Sequence, residues 1–348
     1  MKKRIVTALC FIIAVLALFT SCASDEGEMV ISYGDASINE NIYIFMLAQG
    51  KTETLETLGS STDIPALWLQ DMGGGVTFDT LKYLDYQLDM RVKLYFADYA
   101  LKHDGKLTSA EKKEVVSQVD TIVEQYGSKA ALNKYLEAYT MNYDLLVEYY
   151  ELEALYNKGM ALAFTAGGEH MIPLSDAQKF YENNYITIKH IAIGTDYAGT
   201  DEDGNYIYFT DEEKATRQKL IDEIKKELTN GEDFDKFSAL SEDGFATVNP
   251  DGYTLTKGVL DSAMSGYEDT AFSLEVGEWG SYKLEGICEY IIKRVPLLQS
   301  DFENCYTAIM TSLIDAASTQ AALDNSENFV VNQDIINAYN MSVIPILT

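Results

Sequence analysis

The pattern of apolar and polar positions predicts two β-strands in the second half of the chain. Residues 188–193 read Ile-Lys-His-Ile-Ala-Ile, with apolar residues at alternate positions. Residues 290–295 read Tyr-Ile-Ile-Lys-Arg-Val, a second short apolar run. Alternation places successive side chains on opposite faces, which is typical of a strand with one buried face. The first predicted strand carries a histidine, His190.

A helix is predicted between these strands. Thr210 is followed three residues later by Glu213, which is the pattern of an N-terminal capping box. Gly231 suits the C-terminal end of the helix. The residues that mark its apolar face are Leu220, Ile221, Ile224 and Leu228. A short amphipathic segment, residues 233–240, follows.

The first half of the chain is predicted to be mostly helical. Residues 30–38 suit a short strand and a turn, and a helix follows over residues 39–49. Residues 58–75 are loop-like and contain a run of three glycines. From residue 78 to about residue 164, apolar side chains recur at helical spacing.

Tyrosines recur along these predicted helices, one of which begins with a capping box at Thr108 and Glu111. A tyrosine pairs a large apolar ring with a polar tip, so such side chains suit a cradle for unfolded polypeptides. Such side chains more often serve the packing of one helix on another. The pattern leaves both interpretations open.

The chain is strongly acidic, with 55 Asp and Glu against 26 Lys and Arg and a net charge of −29. Removing residues 1–21, which contain three basic and no acidic residues, makes the net charge −32. Nucleic-acid binding depends mainly on Lys and Arg contacts to phosphate, so the acidity argues against this class of function. Such charge is compatible with keeping bound unfolded polypeptides soluble, and equally with a well-hydrated exported protein.

The N-terminus has the pattern of a signal peptide over residues 1–21. Basic residues at positions 2–4 precede an apolar run over residues 5–19, which is too short for a typical membrane-spanning helix. Ser21 stands directly before Cys22, and this junction resembles the lipobox of bacterial lipoproteins. The resemblance implies that Cys22 is acylated and anchors the chain to the membrane; ordinary secretion with cleavage nearby is the alternative.

The remaining cysteines do not suggest a disulfide framework or a metal site. Only Cys288 and Cys305 remain after Cys10 and Cys22, and they lie seventeen positions apart, so a single pair is possible. There is no CxxC motif or Cys/His cluster of the kind that binds zinc. No metal and no cofactor are predicted.

An acidic stretch around residues 201–205 partly matches a calcium-binding loop. Loop positions 1, 3, 5 and 12 are occupied by Asp201, Asp203, Asn205 and Glu212. The sixth position, where glycine is required, is Tyr206. We interpret the stretch as an acidic hairpin turn, with calcium binding as the less favoured alternative.

The order of segments from residue 188 to residue 295 resembles the parvulin family of peptidyl-prolyl isomerases. The resemblance covers about a third of the chain. Its segments are HIAI (190–193), NGEDFDKFSALSED (230–243), YEDTAFSLEVGE (267–278) and YIIKRV (290–295). The family implies a domain with a four-stranded antiparallel sheet flanked by helices, which binds a prolyl peptide in a shallow groove.

The resemblance also implies a set of site residues. His190 matches the histidine of the first strand, and Asp243 matches the acidic or thiol position after the second helix. Tyr267 stands at the aromatic position of the proline pocket, and Ala263 or Met264 at the aliphatic position. The residues alone also allow a purely structural interpretation, in which His190 and Tyr267 are core residues and Asp243 is a turn residue.

The last strand departs from the family pattern. Tyr290 replaces a second histidine, and Cys288 replaces a glycine. Because a tyrosine hydroxyl both donates and accepts hydrogen bonds, Tyr290 is predicted to substitute for part of the imidazole's role. The predicted catalytic residues are therefore His190, Asp243 and Tyr290, and the predicted substrate-binding residues are Ala263, Met264 and Tyr267.

The start of the mature chain resembles the opening of PrsA- and SurA-like foldases, in the segment Val30 to Ile38. In such proteins the segment after the isomerase domain returns to the N-terminal helices. The resemblance implies an α+β protein with a mostly helical chaperone-like domain and an inserted parvulin-like domain. The predicted parts are a signal peptide (1–21), helical N-terminal part (22–175), parvulin-like domain (176–296) and returning helical segment (297–348).

These observations predict a lipid-anchored foldase on the extracytoplasmic face of the cell membrane. Its partners would be unfolded exported polypeptides with X–Pro bonds, whose cis/trans isomerisation it would accelerate, and the lipid bilayer through Cys22. Two alternatives stay open. One is a prolyl-peptide-binding chaperone without catalysis, and the other is a structural or assembly lipoprotein with one fixed partner.

Overall fold

The computed structural model describes residues 27–200, 203 and 206–347. The chain separates into two compact units, one formed by Met1–Met171 with Ile314–Thr348 and the other by Ile172–Leu313. The predicted signal peptide and Cys22 lie outside the described residues, as do Asp201 and Asn205 of the acidic stretch.

The first unit begins with a β-hairpin and continues with helices. Its elements up to residue 171 are β1 (Met29–Tyr33), β2 (Ala36–Asn39), α1 (Glu40–Thr57), α2 (Pro65–Trp68), α3 (Phe78–His103), α4 (Ser109–Tyr126), α5 (Lys129–Leu136) and α6 (Tyr143–Phe164). The side chain of Asn39 accepts a hydrogen bond from the Ile42 N–H and so caps α1. At α4 both hydrogen bonds of the predicted capping box between Thr108 and Glu111 are present.

The second unit alternates helices and strands. Its elements are α7 (Leu174–Asn184), β3 (Tyr185–Gly194), β4 (Tyr197–Thr200), β5 (Tyr206–Tyr208), α8 (Asp211–Thr229), α9 (Phe245–Val248), β6 (Tyr253–Thr256), α10 (Ser265–Ser273), β7 (Trp279–Leu284), β8 (Cys288–Val295) and α11 (Phe302–Asp324), of which the last continues past residue 313. Short 3₁₀ turns cover Phe234–Lys236, Ser238–Leu240 and Ser262–Met264.

After α11, the chain adds β9 (Val330–Val331) and α12 (Gln333–Ala338) to the first unit. Strand β9 pairs with β1 to give a three-stranded antiparallel sheet in the order β2-β1-β9. Apolar residues of this segment, including Phe329, Ile336, Met341 and Ile344, are buried in the same core as α1 and α3.

A buried lysine also joins the end of the chain to α1. Lys51 has no exposed surface, and its ammonium group lies 2.8 Å from Asp63 Oδ2 and 2.8 Å from the Ile344 carbonyl oxygen. The indole N–H of Trp68 donates to the other Asp63 oxygen at 2.8 Å. The buried charge is therefore paired and hydrogen-bonded, as burial requires.

The second unit contains a four-stranded antiparallel sheet in the order β6-β3-β8-β7. Helix α8 covers one face, where Ile221 and Ile224 pack on Ile191 and Ile291. The other face packs against α10 through a second apolar cluster, whose buried members are Ile186, Ile188, Leu255, Tyr267, Ala271, Leu274 and Ile292. Because successive side chains of β3 point to opposite faces of the sheet, the strand contributes residues to both apolar cores.

The mixed helical and antiparallel character predicted from the sequence is confirmed, with differences in detail. The first helix continues to Thr57 rather than ending near residue 49. The stretch 58–75, predicted as loop, includes the short helix α2. Strand β6 covers Tyr253–Thr256, where the sequence patterning predicted no strand. Among the described residues, no helix combines the length and the apolar character needed to cross a bilayer.

Candidate functional site

His190 lies on strand β3, on the sheet face that packs against α10. It stands opposite Ile292 of β8, and its side chain is 7% exposed. Ile188, two residues earlier on the same face, belongs to the apolar cluster beneath α10. The alternation that predicted the strand therefore directs the imidazole inward.

A loop brings Asp243 to His190. Ser241 and Glu242 dock on β3: the Ala192 N–H donates to Ser241 Oγ, and the Glu242 N–H donates to the Ala192 carbonyl oxygen, each at 2.9 Å. The next residue after Asp243 is Gly244, whose φ of +71° lies in the left-handed region that favours glycine. This turn lets the chain fold back towards β3.

Asp243 is itself held by two further hydrogen bonds. Its Oδ1 accepts from Ser241 Oγ at 2.8 Å and from the Phe245 N–H at 3.0 Å. Its Oδ2 lies 2.6 Å from His190 Nε2. The carboxylate therefore has a fixed orientation, with one oxygen satisfied by its own loop and the other directed at the imidazole.

The second ring nitrogen of His190 contacts Tyr267. The Tyr267 hydroxyl oxygen lies 2.7 Å from His190 Nδ1, and the Tyr267 side chain on α10 is buried. The two rings meet edge to face, with centroids 5.7 Å apart. Both nitrogens of His190 thus have hydrogen-bond partners.

The electrostatics fix the direction of these hydrogen bonds. Burial is the main influence on the pKa of His190 and lowers it, against a smaller upward effect of Asp243. Burial alone would raise the pKa of Asp243, but hydrogen bonds from the Phe245 N–H, His190 and Ser241 together lower it. At neutral pH a neutral imidazole therefore donates from Nε2 to an ionised carboxylate. Its Nδ1 then accepts from Tyr267, which gives a directed chain from Tyr267 through His190 to Asp243.

Phe245 covers one side of the imidazole. Its ring is stacked on His190 with centroids 3.8 Å apart, and its other neighbour is Tyr253, at 6.1 Å. A half-open cavity of about 280 Å³ lies beside these rings. The residues that line it are Lys189, His190, Asp235, Ser238, Phe245, Ala246, Asn249 and Pro250.

Tyr290 lies on β8, with its ring against those of His190 and Tyr267. It stands opposite Ala192, and its ring centroid is 5.2 Å from that of His190 and 5.0 Å from that of Tyr267, both edge to face. Burial raises the pKa of Tyr290, and a hydrogen bond with Cys288 raises it further. Tyr290 is therefore a neutral hydroxyl whose described partner is Cys288 rather than His190.

The two aliphatic positions of the predicted proline pocket lie elsewhere. Ala263 is exposed in the 3₁₀ turn before α10, and its carbonyl oxygen lies 3.4 Å from the Tyr282 hydroxyl. Met264 is half-buried against the apolar cluster beneath α10. Neither lines the cavity beside His190. The structure brings His190, Asp243, Tyr267 and Tyr290 together, and places Ala263 and Met264 outside this group.

The sequence interpretation missed Phe245 and Ser241. Ser241 positions Asp243, and Phe245 forms one wall of the cavity. A signal was present, because the pair Asp243-Gly244 is typical of a turn. The sequence did not indicate which strand the turn approaches.

Cys288 and Cys305 are both free thiols, so the possible pair is not formed. In the part of the chain that the structure describes, no cluster of three or more His, Cys, Asp or Glu side chains is arranged to hold a metal ion. The predicted hairpin at the acidic stretch is present as β4 paired with β5, although its residues 201, 202, 204 and 205 lie outside the described residues.

Comparison with known proteins identifies similar solved structures. No protein-family model matches the chain, and no curated protein is significantly similar to it. The PrsA peptidyl-prolyl isomerase of Bacillus cereus is 17% identical, with a TM-score of 0.28, over 77% of this chain and 89% of that chain. The PrsA peptidyl-prolyl isomerase of Bacillus anthracis is also 17% identical, with a TM-score of 0.28, over 69% of this chain and 98% of that chain.

The foldase protein PrsA of Lactococcus lactis is 15% identical, with a TM-score of 0.25, over 88% of this chain and 96% of that chain. The solved structures that are similar to this chain are PrsA proteins, in agreement with the resemblance found in the sequence.

Proposed function

We propose that this protein is an extracytoplasmic foldase, anchored by an acylated Cys22, that binds unfolded exported polypeptides and accelerates cis/trans isomerisation of their X–Pro bonds. In this proposal the unit Ile172–Leu313 is the parvulin-like isomerase domain. It is inserted into a helical chaperone-like domain formed by the rest of the mature chain. No cofactor takes part.

The observation that carries the proposal is the state of His190. It is buried beside an open cavity, and both of its nitrogens are already hydrogen-bonded. A general base that activates water must have its acceptor nitrogen within hydrogen-bond reach of that water, and here the acceptor nitrogen, Nδ1, is occupied by the buried Tyr267 hydroxyl. Prolyl isomerisation needs neither a nucleophile nor a proton acceptor, so a fully bonded imidazole is compatible with it.

The reaction requires rotation about a partial double bond. The barrier is about 18–20 kcal/mol, and uncatalysed exchange takes tens to hundreds of seconds. A site lowers this barrier when it binds the twisted amide more tightly than either planar form. The chain Tyr267–His190–Asp243 supplies dipoles of fixed direction beside the cavity, and such preorganised polarity favours the changed charge distribution of a twisted amide.

The cavity walls suit a prolyl segment. Phe245, Ala246 and Pro250 are apolar, and Asn249 and Ser238 provide hydrogen-bonding groups. Apolar walls with a few placed polar groups are typical of ligand sites. Ala263, Met264 and the buried Tyr267 remain the family's candidates for gripping the proline ring, and none of the three lines this cavity.

A prolyl-peptide-binding chaperone without catalysis is the second candidate. It is favoured by Tyr290, which stands where the family has a second histidine and is hydrogen-bonded to Cys288. Catalysis and binding are therefore to be measured separately. A structural lipoprotein with one fixed partner would bind neither diverse unfolded chains nor prolyl peptides.

The test is a direct measurement of cis-to-trans exchange in a panel of X–Pro peptides with purified residues 23–348. Saturable turnover that falls in His190→Ala supports the isomerase. His103→Ala provides a matched control, because His103 stacks on Tyr99 in the other unit. Absence of turnover in every peptide, with a folded protein that still binds them, contradicts catalysis. Rescue by Tyr290→His would then identify the position that lost it.

A further inference from the structure

The main chain of β3 has a gap in its hydrogen bonding at His190. In an antiparallel ladder, each residue directs its N–H and C=O to one neighbouring strand, and successive residues alternate. Both main-chain groups of Ala192 are bonded to Ser241 and Glu242, and the Gly194 N–H donates to Glu242 Oε2 at 2.9 Å. Even-numbered residues of β3 therefore point away from β8.

On that side of β3, strand β6 ends before it reaches His190. Its pairing runs from Tyr185↔Thr256 to Ile188↔Tyr253 and stops there. Gly252, with φ +113°, turns the chain away at this point, and a Cβ on it would lie 2.9 Å from the Ile188 carbonyl oxygen. No described residue is hydrogen-bonded on this side to the His190 N–H or C=O.

The gap coincides with the 280 Å³ cavity. Ala192 lies four positions after Ile188, which is about 13 Å along a strand. Both ends are closed, by Tyr253 at one and the Ser241 loop at the other. Because a main-chain donor and acceptor rarely remain unpaired away from water, the cavity must supply partners, either water or a ligand.

We propose that this gap binds the main chain of a bent polypeptide segment, one residue of which pairs with His190 through two N–H···O=C hydrogen bonds. Addition of a peptide to an exposed strand edge is a general mode of recognition. The length of the gap allows one paired residue, so the ligand enters and leaves as a bend rather than as a long strand.

The pairing defines the residue that fits. Proline has no N–H, so the paired residue is not the proline itself but one that flanks it. Side chains of paired residues lie on the same sheet face, so this residue places its side chain beside the His190 and Phe245 rings. An apolar or aromatic side chain suits that position. The inference rests on the proposed function for the identity of the ligand, and gives that site a main-chain anchor.

Filling the cavity tests the inference. In residues 23–348, Ala246→Trp places a large ring in the gap, whereas Thr247→Trp places the same ring on the exposed neighbouring position of α9. With an X–Pro peptide in a fluorescence binding assay, we expect Ala246→Trp to weaken binding at least about tenfold and Thr247→Trp to leave it unchanged. Equal affinity in both variants, each shown folded by its NMR spectrum, would overturn the proposal.

A second measurement observes the hydrogen bond itself. Saturating peptide should slow hydrogen exchange of the His190 amide at least about tenfold, and N-methylation of one residue next to the proline should weaken binding about tenfold. If peptide leaves the exchange of the His190 amide unchanged and no single N-methyl group weakens binding, the gap holds water only. If the protein isomerises X–Pro peptides but the hydrogen exchange of the His190 amide is unaffected, the main-chain anchor is refuted and the isomerase is not. If peptides protect the His190 amide from exchange but none is isomerised, the isomerase is refuted and the main-chain anchor is not.

Discussion

The Tyr267 hydroxyl and His190 Nδ1 lie 2.7 Å apart in the buried interior of the second unit. The contact sets the tautomer of the imidazole, because a hydroxyl that donates to Nδ1 leaves the proton on Nε2, which faces Asp243 at 2.6 Å. The residue that the family resemblance places in a proline pocket therefore orients the histidine in this chain. Its hydroxyl does so from α10, on the opposite side of the ring from the Asp243 loop.

Tyr267→Phe keeps the ring but removes this hydroxyl. A donor to Nδ1 stabilises the neutral imidazole, so its loss is expected to raise the pKa of His190. It also leaves a buried acceptor unpaired, at a cost of about 1–3 kcal/mol in the free energy of unfolding. NMR titration of the His190 ring and urea unfolding measure the two effects.

Tyr282→Phe is the matched control, because the Tyr282 hydroxyl makes one long contact at 3.4 Å and lies outside the His190 chain. It should leave the pKa of His190 unchanged. A fall of this pKa in Tyr267→Phe would show that the ring donates to Tyr267, and the assigned tautomer would be wrong.

The stability of the second unit should decrease as the pH falls below about 6.5. Burial lowers the pKa of His190 in the folded state, so the unfolded chain takes up a proton first, at its ordinary pKa of about 6.5. The stability is fully present above that pH and is lost as the pH falls through the folded pKa. The lowered pKa of Asp243 acts in the same direction in a second window, below its ordinary value of 3.8.

Urea unfolding followed by NMR signals of β3 and β8 at several pH values measures this dependence. His190→Gln removes the first window and should flatten the curve just below pH 6.5, while the loss of stability below pH 3.8 remains. An unchanged slope in His190→Gln would assign the dependence to other groups.

The elements with strong local signals could be predicted from the sequence. Strands β3 and β8 follow from apolar patterning, and the start of α8 from the Thr210 and Glu213 pair, whose two reciprocal hydrogen bonds are present. Strand β6 could not be predicted, because four residues between glycines carry little pattern of their own. Its place depends on pairing with β3, a contact between residues almost seventy positions apart.

The site could be predicted in part. The resemblance selected His190, Asp243 and Tyr267, which the structure brings into one hydrogen-bonded chain. Ala263 and Met264 do not line the cavity, since the turn that carries them precedes α10 and its position depends on how that helix packs. The gap in β3 has no sequence signature, because it is defined by where two other segments stop pairing.

Phe245→Ala should expose the imidazole to water. The Phe245 ring stacks on His190 at 3.8 Å, so its loss reduces desolvation and is expected to move the pKa of His190 up towards its ordinary value. The lost contact should cost roughly 1–3 kcal/mol in the free energy of unfolding. NMR titration and urea unfolding provide the measurements.

Val248→Ala is the control for this substitution, because Val248 is on the same short helix but 78% exposed. It should change stability by less than about 0.5 kcal/mol and leave the titration unaltered. If Phe245→Ala behaved like Val248→Ala, the stacked arrangement would not be populated in solution.

In the first unit, the Lys51–Asp63 pair provides a test of how the C-terminal segment is held. Lys51→Met keeps most of the side-chain volume but removes the bonds to Asp63 and to the Ile344 carbonyl. Asp63 is one-third exposed and regains hydration, so we expect a loss of about 2–3 kcal/mol, less than for a fully buried partner. Asp63→Asn should cost more, because Lys51 is fully buried and its charge would be left without a counterion. Urea unfolding of both variants measures which substitution costs more free energy of unfolding. Lys129→Met, which breaks the exposed pair between Lys129 and Asp144, is the control. The reverse order would mean that Lys51 reaches water when Asp63 is neutral, and that the end of the chain around Ile344 opens to admit it.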